Sequence, residues 1–209
     1  MQADAREFLA TLPDESIDLI VTDPPYAFER GDTHFRQWFE ELGDDAWPEI
    51  LTALYRILAR DRHAYLFCDW RTQRIFEDAA EDAGFKVHRP LVWDKESPAL
   101  GGAWRSQYEF ILFLGKGHRP GNYKNRGNVL RAPRVARGYP TEKPLRIIKS
   151  LISQSSLSGE LVLDPFCGSG NVGRAARALG RRALLCDVEA GFAAGRLRLG
   201  CEMLAGATA

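Results

Sequence analysis

Short apolar runs alternate with segments of helical periodicity along most of the 209-residue chain. Continuous apolar runs are typical of strands buried on both faces, whereas apolar residues at i, i+3 and i+4 are typical of helices with one buried side. The predicted strands are 17–22, 64–68, 85–93, 108–114, 161–164 and 183–186. The predicted helices are 47–59, 71–83, 144–155, 171–179 and 190–203. This alternation indicates an α/β domain with a mostly parallel sheet.

The predicted strand at 17–22 ends at the tetrapeptide Asp23-Pro24-Pro25-Tyr26. Because prolines lack an N–H group, the backbone at this corner offers mainly acceptors, and the Asp23 carboxylate adds two more oxygens. Such a corner suits a planar ring with an exocyclic amine. Tyr26 would stack on a nucleobase while Asp23 and the Pro24 carbonyl accept from its amine. A rigid loop with a surface tyrosine is the alternative interpretation.

A glycine-rich turn follows the predicted strand at 161–164. Asp164 ends this strand, and Gly168 and Gly170 allow a ligand to approach the backbone closely. Asp187 comes one helix and one strand later, where nucleotide-binding units place an acid for the ribose hydroxyls. The segment 168–173 also fits the G-x-G-x-x-G fingerprint of nicotinamide dehydrogenases. Asp164 ahead of it suits an amine-bearing ligand better than a pyrophosphate, and a glycine turn without a ligand is the third interpretation.

The two motifs together resemble the amino-group DNA methyltransferases that use S-adenosylmethionine. The tetrapeptide comes first and the glycine turn last, an order similar to that of the permuted β class. Further blocks similar to that family are 4–9, 12–22, 67–70, 92–95, 107–110 and 141–144. The resemblance covers nearly the whole chain, and several ordered motifs are more specific than a single glycine turn.

This resemblance implies a fold and an activity. The fold would be a Rossmann-like methyltransferase domain over 1–209, with a seven-stranded type of sheet, helices on both faces and circularly permuted motifs. The activity would be methyl transfer from S-adenosylmethionine to the N6 amine of adenine in DNA, after the base is flipped out. Asp at the first tetrapeptide position favours adenine, since cytosine-N4 members more often carry Ser there. A cytosine-N4 enzyme and a catalytically silent DNA-binding relative are the alternatives.

The resemblance also assigns roles to individual residues. The catalytic residues would be Asp23, Pro24, Pro25 and Tyr26. The cofactor-binding residues would be Asp4, Asp23, Thr141, Lys143, Asp164, Phe166, Cys167, Gly168, Gly170 and Asp187. Among these, Asp187 would bind the ribose and Asp4 the adenine amino group of the cofactor. A helix cap is the alternative role of Asp4, and a solvated helix start that of Lys143. Only three residues precede Asp4, where the family usually has a strand.

Charge is unevenly distributed, although 28 basic and 28 acidic side chains balance over the whole chain. Residues 1–115 carry a net charge of −10 and residues 116–209 a net charge of +10. Within the second part, residues 116–149 hold ten Lys or Arg against the single acid Glu142. This concentration indicates a nucleic-acid surface confined to one region, or exposed helices that happen to lie there.

The basic segment 116–140 lies where the family has its target-recognition region, here a short insertion within the single domain. Its predicted DNA-binding residues are Lys116, Arg119, Lys124, Arg126, Arg131, Arg134 and Arg137. A flexible loop that raises only non-specific affinity is the alternative. The small size of the segment suggests a short target or the help of a second subunit in a homodimer. The loop at 28–39 would close over the flipped base, or is a plain surface loop.

Composition narrows the class of protein further. A hydrophobic content of 45% and an aromatic content of 11% indicate a buried core and argue against disorder. No apolar run approaches the roughly 20 residues of a membrane span, and the N-terminus does not resemble a signal peptide. Four cysteines without a C-x-x-C pair argue against zinc and indicate reduced thiols in a cytoplasmic protein. We expect DNA as the partner and expect neither a metal ion nor a membrane. The sequence leaves open whether a cognate restriction endonuclease exists.

Overall fold

In the part of the chain that the structure describes, eight strands form one sheet, and helices flank it on both faces. The structure is a computed structural model that describes residues 1–25, 46–100, 102–136 and 142–188. The strands are β1 (Ile17–Thr22), β2 (Leu58–Cys68), β3 (Lys86–Val87), β4 (Leu91–Asp94), β5 (Tyr108–Lys116), β6 (Val129–Arg131), β7 (Leu161–Asp164) and β8 (Arg182–Leu185). The helices are α1 (Ala5–Ala10), α2 (Trp47–Ile57), α3 (Thr72–Asp82), α4 (Leu145–Ser155) and α5 (Asn171–Ala178). Within these ranges, no helix is long and apolar enough to cross a membrane.

Most predicted elements are confirmed, and the predicted strand at 85–93 is wrong as a single strand. It divides into β3 and β4, which both pair with β5. Four residue steps from Val87 to Leu91 face only three on β5, so the ladder is interrupted, and Pro90 has no N–H to continue it. The short elements α1 and β6 were not predicted. The predicted helix at 190–203 and the loop at 28–39 lie outside the described residues.

The sheet is mixed, because one central strand runs against its neighbours. The strand order is β6-β4-β5-β2-β1-β7-β8, and β3 pairs with β5 beside this path. β5 is antiparallel to β2, β3 and β4, whereas the β1–β2, β1–β7, β7–β8 and β4–β6 pairs are parallel. Residues 95–107 join β4 to β5 as a hairpin, and the two strands are antiparallel neighbours.

Two hydrophobic cores cover the two faces of the sheet. Along β2, Tyr65 and Phe67 face one core while Leu66 and Cys68 face the other, as the two-residue period of a strand requires. The helices α1, α2 and α3 pack on the core that contains Leu66 and Cys68, and α4 and α5 pack on the core that contains Tyr65 and Phe67. Strands covered on both faces must be largely apolar, which explains the nearly continuous apolar runs of the sequence.

The carboxyl ends of β1, β2, β4, β7 and β8 lie at one edge of the sheet, which we call the site edge. The chain leaves β1 through α2 toward β2, and it later returns through α4 to place β7 on the other side of β1. In an open α/β sheet, the point where the order reverses in this way leaves a crevice outside the strand ends. The residues that follow β1 and β7 are therefore positioned to form a ligand site.

The first three residues continue the sheet beside the end of β8. Gln2 forms a parallel bridge with Asp187. The Ala3 amide donates to the Asp187 carbonyl at 3.1 Å, and the Asp187 amide donates to the Met1 carbonyl at 3.1 Å. A short extended segment thus precedes Asp4, and it holds the backbone of Asp187 at the site edge.

Candidate functional site

A chain of four alternating charges runs along the site edge. The Lys143 ammonium donates to Asp23 Oδ2 at 2.7 Å and lies 3.4 Å from Glu109 Oε2. Glu109 Oε1 in turn pairs with the Lys95 ammonium at 2.6 Å. Lys143 and Lys95 are buried, and the aromatic faces of Phe67 and Trp93 lie 5.5 and 5.3 Å from their respective ammonium groups. Burial weakens screening by water, so each charge in this chain depends on its neighbours.

These neighbours set the ionisation of the two carboxyl groups in opposite directions. Burial raises the pKa of Asp23 to about 6, and the negative charge of Glu109 adds to this rise against the opposing pull of Lys143. Burial also acts on Glu109, but Lys143 and Lys95 together hold the pKa of that carboxyl below its usual range. Glu109 is therefore ionised at neutral pH, whereas Asp23 gains a proton under mildly acidic conditions.

Asp23 retains one acceptor that no described group uses. Its Oδ1 atom is buried and has no hydrogen-bond partner among the described residues, while Oδ2 accepts from Lys143. A buried carboxylate oxygen normally accepts at least one hydrogen bond. Since 26% of the Asp23 side chain as a whole is exposed, the residue borders solvent at the site edge, and a ligand N–H is a suitable donor for its Oδ1.

The first residue of α5 fixes Lys143 in place. The Asn171 side chain donates to the Lys143 carbonyl at 2.9 Å and to the Glu142 carboxylate at 2.5 Å. Arg174, one turn further along α5, also donates to this carboxylate at 2.6 Å. The helix that follows the glycine turn thereby ties the segment carrying Lys143 to the site edge.

The glycine turn between β7 and α5 lies beside Asp23. Asp164 Oδ1 accepts from the Thr22 hydroxyl at 2.7 Å and from the Phe166 amide at 3.2 Å. Burial raises the pKa of Asp164 to about 7. The Gly168 amide donates to Asp187 Oδ2 at 2.7 Å, which joins the turn to the end of β8. The ends of three parallel strands therefore present their acids at one place.

Gly170 leaves open space where the turn enters α5. It has a φ of +74°, which favours glycine because a side chain in this left-handed region is strained. A Cβ atom added here would meet no atom within 4 Å. The turn thus combines a tight backbone with room for a ligand against it.

Comparison with known proteins identifies the family. The family model described as DNA methylase matches residues 17–134 and 118–195, which is most of the chain. The chain belongs to the DNA methylase family. It is an enzyme with DNA as its substrate, and the dehydrogenase interpretation of the glycine turn is set aside.

Two relatives and one solved structure illustrate the similarity of this methylase to known proteins. YubD of Escherichia coli (strain K12) is 32% identical over 191 residues, which cover 87% of this chain and 81% of YubD. The DNA adenine methyltransferase YhdJ of the same organism is 27% identical over 232 residues, covering 92% and 79%. The crystal structure of the M1.HpyAVI–SAM complex has a TM-score of 0.74 at 23% identity, covering 95% and 96%. This likeness supports the methyltransferase fold.

The methylase brings most of its predicted site residues together. Asp23, Lys143, Asp164 and Asp187 lie at the site edge, where contacts link Asp23 to Lys143 and the glycine turn to Asp187. Pro24 is buried and Pro25 is half-buried directly after Asp23. The predicted residues Tyr26, Thr141 and Arg137 lie outside the described residues.

Two predicted cofactor contacts are buried or engaged within the protein. Asp4 caps α1 by accepting from the Arg6 amide at 2.8 Å, and hydrogen bonds from the Arg6 side chain hold the pKa of Asp4 below its usual range. The contacts thus favour the alternative role of Asp4 as a helix cap. Cys167 is buried, its amide donates to the Cys186 carbonyl at 2.9 Å, and burial raises the pKa of its thiol. Any cofactor contact of Cys167 would therefore come from its backbone.

The predicted DNA-binding residues divide between opposite edges of the sheet. β5 begins at the site edge and ends eight residues later at Lys116, a distance of about 27 Å. The Lys116 ammonium is buried there and donates to the Tyr55 and Leu58 carbonyls at 2.9 and 2.7 Å. Arg119 lies at the same end, only 14% exposed and 4.0 Å from Glu160. We therefore withdraw Lys116 and Arg119 from the predicted DNA surface.

The rest of the basic segment returns toward the site edge. Arg126 stacks on Tyr123 with its guanidinium 4.0 Å from the ring centre, and it donates to the Ser150 carbonyl of α4 at 3.3 Å. Arg131 ends β6, lies 3.5 Å from Asp94 and is 71% exposed. The predicted residues that remain exposed in the described part of the segment are Lys124, Arg126, Arg131 and Arg134. The described part of the segment is held against the fold, because its backbone bonds to β4 and α4.

Sequence reasoning gave no role to Glu109 or Lys95, although both belong to segments that resemble family blocks. The available signal was an acid inside the apolar run of β5 and a lysine directly after the apolar residues of β4. A charge in a strand buried on both faces requires a partner. Only the pairing of β4 with β5 in space shows that the two residues are partners of each other.

Proposed function

We propose that this DNA methylase transfers the methyl group of S-adenosylmethionine to the N6 amine of adenine in DNA. The observation that carries the proposal is the buried Oδ1 of Asp23, which has no hydrogen-bond partner among the described residues. An exocyclic amine offers the N–H donor that this oxygen lacks. Adenine is favoured by the Asp at the start of the tetrapeptide and by the relative YhdJ, which is named a DNA adenine methyltransferase.

Asp23 would raise the reactivity of a weak nucleophile. The lone pair of an exocyclic amine is delocalised into the ring, so the nitrogen attacks poorly. Hydrogen bonds from the amine to Asp23 Oδ1 and to the Pro24 carbonyl would favour a pyramidal nitrogen and stabilise its developing positive charge. With a pKa of about 6, Asp23 is ionised at neutral pH and can accept the proton that the methylated nitrogen releases.

The residues around the glycine turn fit S-adenosylmethionine. The open space against Gly170 would receive its methionine part, with Phe166 and Gly168 around it and Asp164 near its amine. Asp187 would accept from the ribose hydroxyls, with Thr141 and Lys143 beside the methionine pocket. When bound, this cofactor supplies an activated methyl group on a sulfonium ion. The role of the chain is to hold the amine in line with that group.

The proposal also includes base flipping, the length of the target sequence or the oligomeric state, and the cellular location. A base within a duplex cannot reach Asp23, so it must flip out at a cost of a few kcal/mol. The short basic segment favours a short target sequence or a homodimer, and sedimentation of the protein with and without DNA would distinguish them. We place the enzyme in the cytoplasm. It acts there either alone or together with a cognate restriction endonuclease.

Methylation of unmodified genomic DNA tests the reaction directly. We expect purified protein and S-adenosylmethionine to produce N6-methyladenine in one short sequence context, identified by single-molecule sequencing. If the product is N4-methylcytosine instead, the target base is cytosine, and the alternative function replaces the proposed one. Tight binding of NAD without binding of S-adenosylmethionine would overturn the proposal.

Asp23→Ala should abolish methyl transfer and spare cofactor binding. The substitution removes the acceptor for the target amine, while Lys143 keeps Glu109 as an ionic partner. The measurements are turnover on the methylated sequence and equilibrium binding of S-adenosylmethionine. Turnover close to that of the unsubstituted protein would contradict the role of Asp23.

A further inference from the structure

The connection between β4 and β5 carries two large apolar side chains in full contact with solvent. Leu100 and Trp104 are each 97% exposed, the highest values among the large hydrophobic residues of the described chain. Solvent exposure of such side chains is unfavourable, and two of them near one turn mark a contact surface. We call residues 95–100 and 102–107, the described part of this connection, the β4–β5 hairpin.

Ordered contacts hold this hairpin. The Lys95 amide donates to the Gln107 carbonyl at 2.8 Å, and the Ala99 amide donates to the Ser106 carbonyl at 2.8 Å. The Gln107 side chain also donates to Asp94 Oδ1 at 2.9 Å. These bonds extend the β4–β5 pairing outward, so Leu100 and Trp104 occupy the end of a supported projection.

The hairpin begins next to the residues that would hold the flipped base. Its first residue, Lys95, pairs with Glu109, which is linked through Lys143 to Asp23. Five residues from Lys95 to Leu100 span at most about 17 Å, so the tip lies within that distance of the four-charge chain. A duplex that delivers a base to Asp23 must therefore pass close to the tip.

The surroundings of the tip suit DNA. Arg105 is exposed next to Trp104, and exposed Arg131 is paired with Asp94 at the base of the hairpin. A second exposed indole, that of Trp70, follows β2 at the same edge and carries the Arg71 guanidinium 5.4 Å from its ring centre. Cations can contact phosphates while the aromatic rings stack on bases.

We propose that the tip of the β4–β5 hairpin inserts into duplex DNA and fills the space left by the flipped base. Trp104 would stack on the neighbouring base pair, with Leu100 beside it and Arg105 near a phosphate. The inserted ring replaces part of the stacking lost on flipping, and so favours the flipped state. This inference rests on the proposed function, because it requires duplex DNA with a target base in the pocket.

The test compares two duplexes that carry the sequence identified by genomic methylation. In one the target adenine pairs with thymine, and in the other it lies opposite an abasic site, where flipping is easier. Trp104→Ala should lower kcat/KM on the paired duplex about tenfold, the loss expected for one stacking contact. It should have little effect on the abasic duplex. Trp104→Phe, which keeps a ring that can stack, should retain most of the activity on both.

Fluorescence of 2-aminopurine at the target position gives a second readout. Binding of the unsubstituted protein should raise it as the base leaves the stack, and Trp104→Ala should reduce this rise. Leu157→Ala is the matched control for Leu100→Ala, because Leu157 is a 55% exposed leucine beyond the distant end of α4. Only Leu100→Ala should reduce activity on the paired duplex.

Three outcomes would overturn insertion. These are equal activity of Trp104→Ala and the unsubstituted protein on the paired duplex, an equal loss on both duplexes, and a change of oligomeric state on substitution of Trp104. The last would indicate that the tip contacts a second copy of the chain. Failure of the unsubstituted protein to methylate any DNA would instead overturn the proposed function itself.

Discussion

Lys143 contacts two carboxylates, those of Asp23 and Glu109, whose pKa values are shifted in opposite directions. It donates a hydrogen bond to Asp23 and forms a longer ion pair with Glu109, whose second oxygen is neutralised by Lys95. Because the opposing charges are buried together, a change at any one of them alters the field at Asp23. The proposed acceptor is thus tuned by residues that need not touch the substrate.

Opposite shifts of the pH profile should follow from the two neighbours of Asp23. The rate should fall as pH drops through about 6, because Asp23 then becomes protonated and loses its acceptor. Glu109→Gln removes a negative charge that raises the pKa of Asp23, so the acidic limb of kcat/KM should move to lower pH. Lys143→Gln removes the opposing positive charge, so the same limb should move to higher pH. Shifts in the same direction would contradict this coupling.

Gly170→Ala should weaken cofactor binding and also reduce stability. An alanine at a φ of +74° is strained by roughly 1–2 kcal/mol, and its methyl group would occupy the open space above the turn. Gly159→Ala is the matched control, since Gly159 has a φ of +85°, equally open surroundings and a position before β7. Denaturant unfolding should show similar losses for both variants, while only Gly170→Ala loses affinity for S-adenosylmethionine. Equal affinity of the two variants would contradict the assignment.

The direction of β5 decides which part of the basic segment faces the site. The strand carries the chain away from the site edge to Lys116, and the segment then returns along α4 to β6. Asn122 bonds to the carbonyl groups at the end of α4, which fixes the start of this return. The exposed cations therefore concentrate in the later part of the segment.

Arg126→Gln combined with Arg131→Gln should flatten the salt dependence of DNA affinity. If each guanidinium contacts one phosphate, the slope of log K against log salt should decrease by about 1.8. Arg60→Gln is a control, because Arg60 is 84% exposed near the start of β2, away from the site edge. A slope unchanged by the double substitution would place the DNA surface elsewhere.

Substitution of Lys116 tests whether this cation has a structural role or a role in DNA binding. Lys116→Met leaves two carbonyl acceptors without their donor, which should cost about 1–3 kcal/mol in the free energy of unfolding. Its salt slope for DNA should equal that of the unsubstituted protein, as measured in the same titration. A reduced slope would restore Lys116 to the DNA surface.

The prediction of strands succeeded where burial of both faces produces a clear apolar run in the sequence. β1 and β7 are mostly apolar because helices cover both faces, and both were predicted with the observed bounds. β2 begins six residues earlier than predicted, because Leu58–His63 contains exposed polar residues that resemble a loop. Pairing with β1 and β5 makes that stretch a strand, and this pairing is not visible in local periodicity.

The charge asymmetry of the whole chain overstates the DNA surface. Ten basic residues fall within 116–149, but the fold buries or pairs Lys116, Arg119 and Lys143 inside the protein. A count along the sequence cannot separate these from exposed cations. The location of charge narrowed the search for DNA contacts, and the structure then removed two predicted DNA-binding residues, Lys116 and Arg119.

The sequence by itself determined the α/β class, the tetrapeptide at the end of β1 and the glycine turn after β7. Each depends on local chemistry: apolar runs, missing proline N–H groups and positive φ at glycine. Only the tertiary structure decided that Lys143 contacts Asp23, that Glu109 and Lys95 complete the charge chain, and that Lys116 is internal. These contacts join residues 14 to 120 positions apart, and strand order brings them together. Local sequence pattern carries no information about that order, since it reflects which faces are buried and not which strands become neighbours.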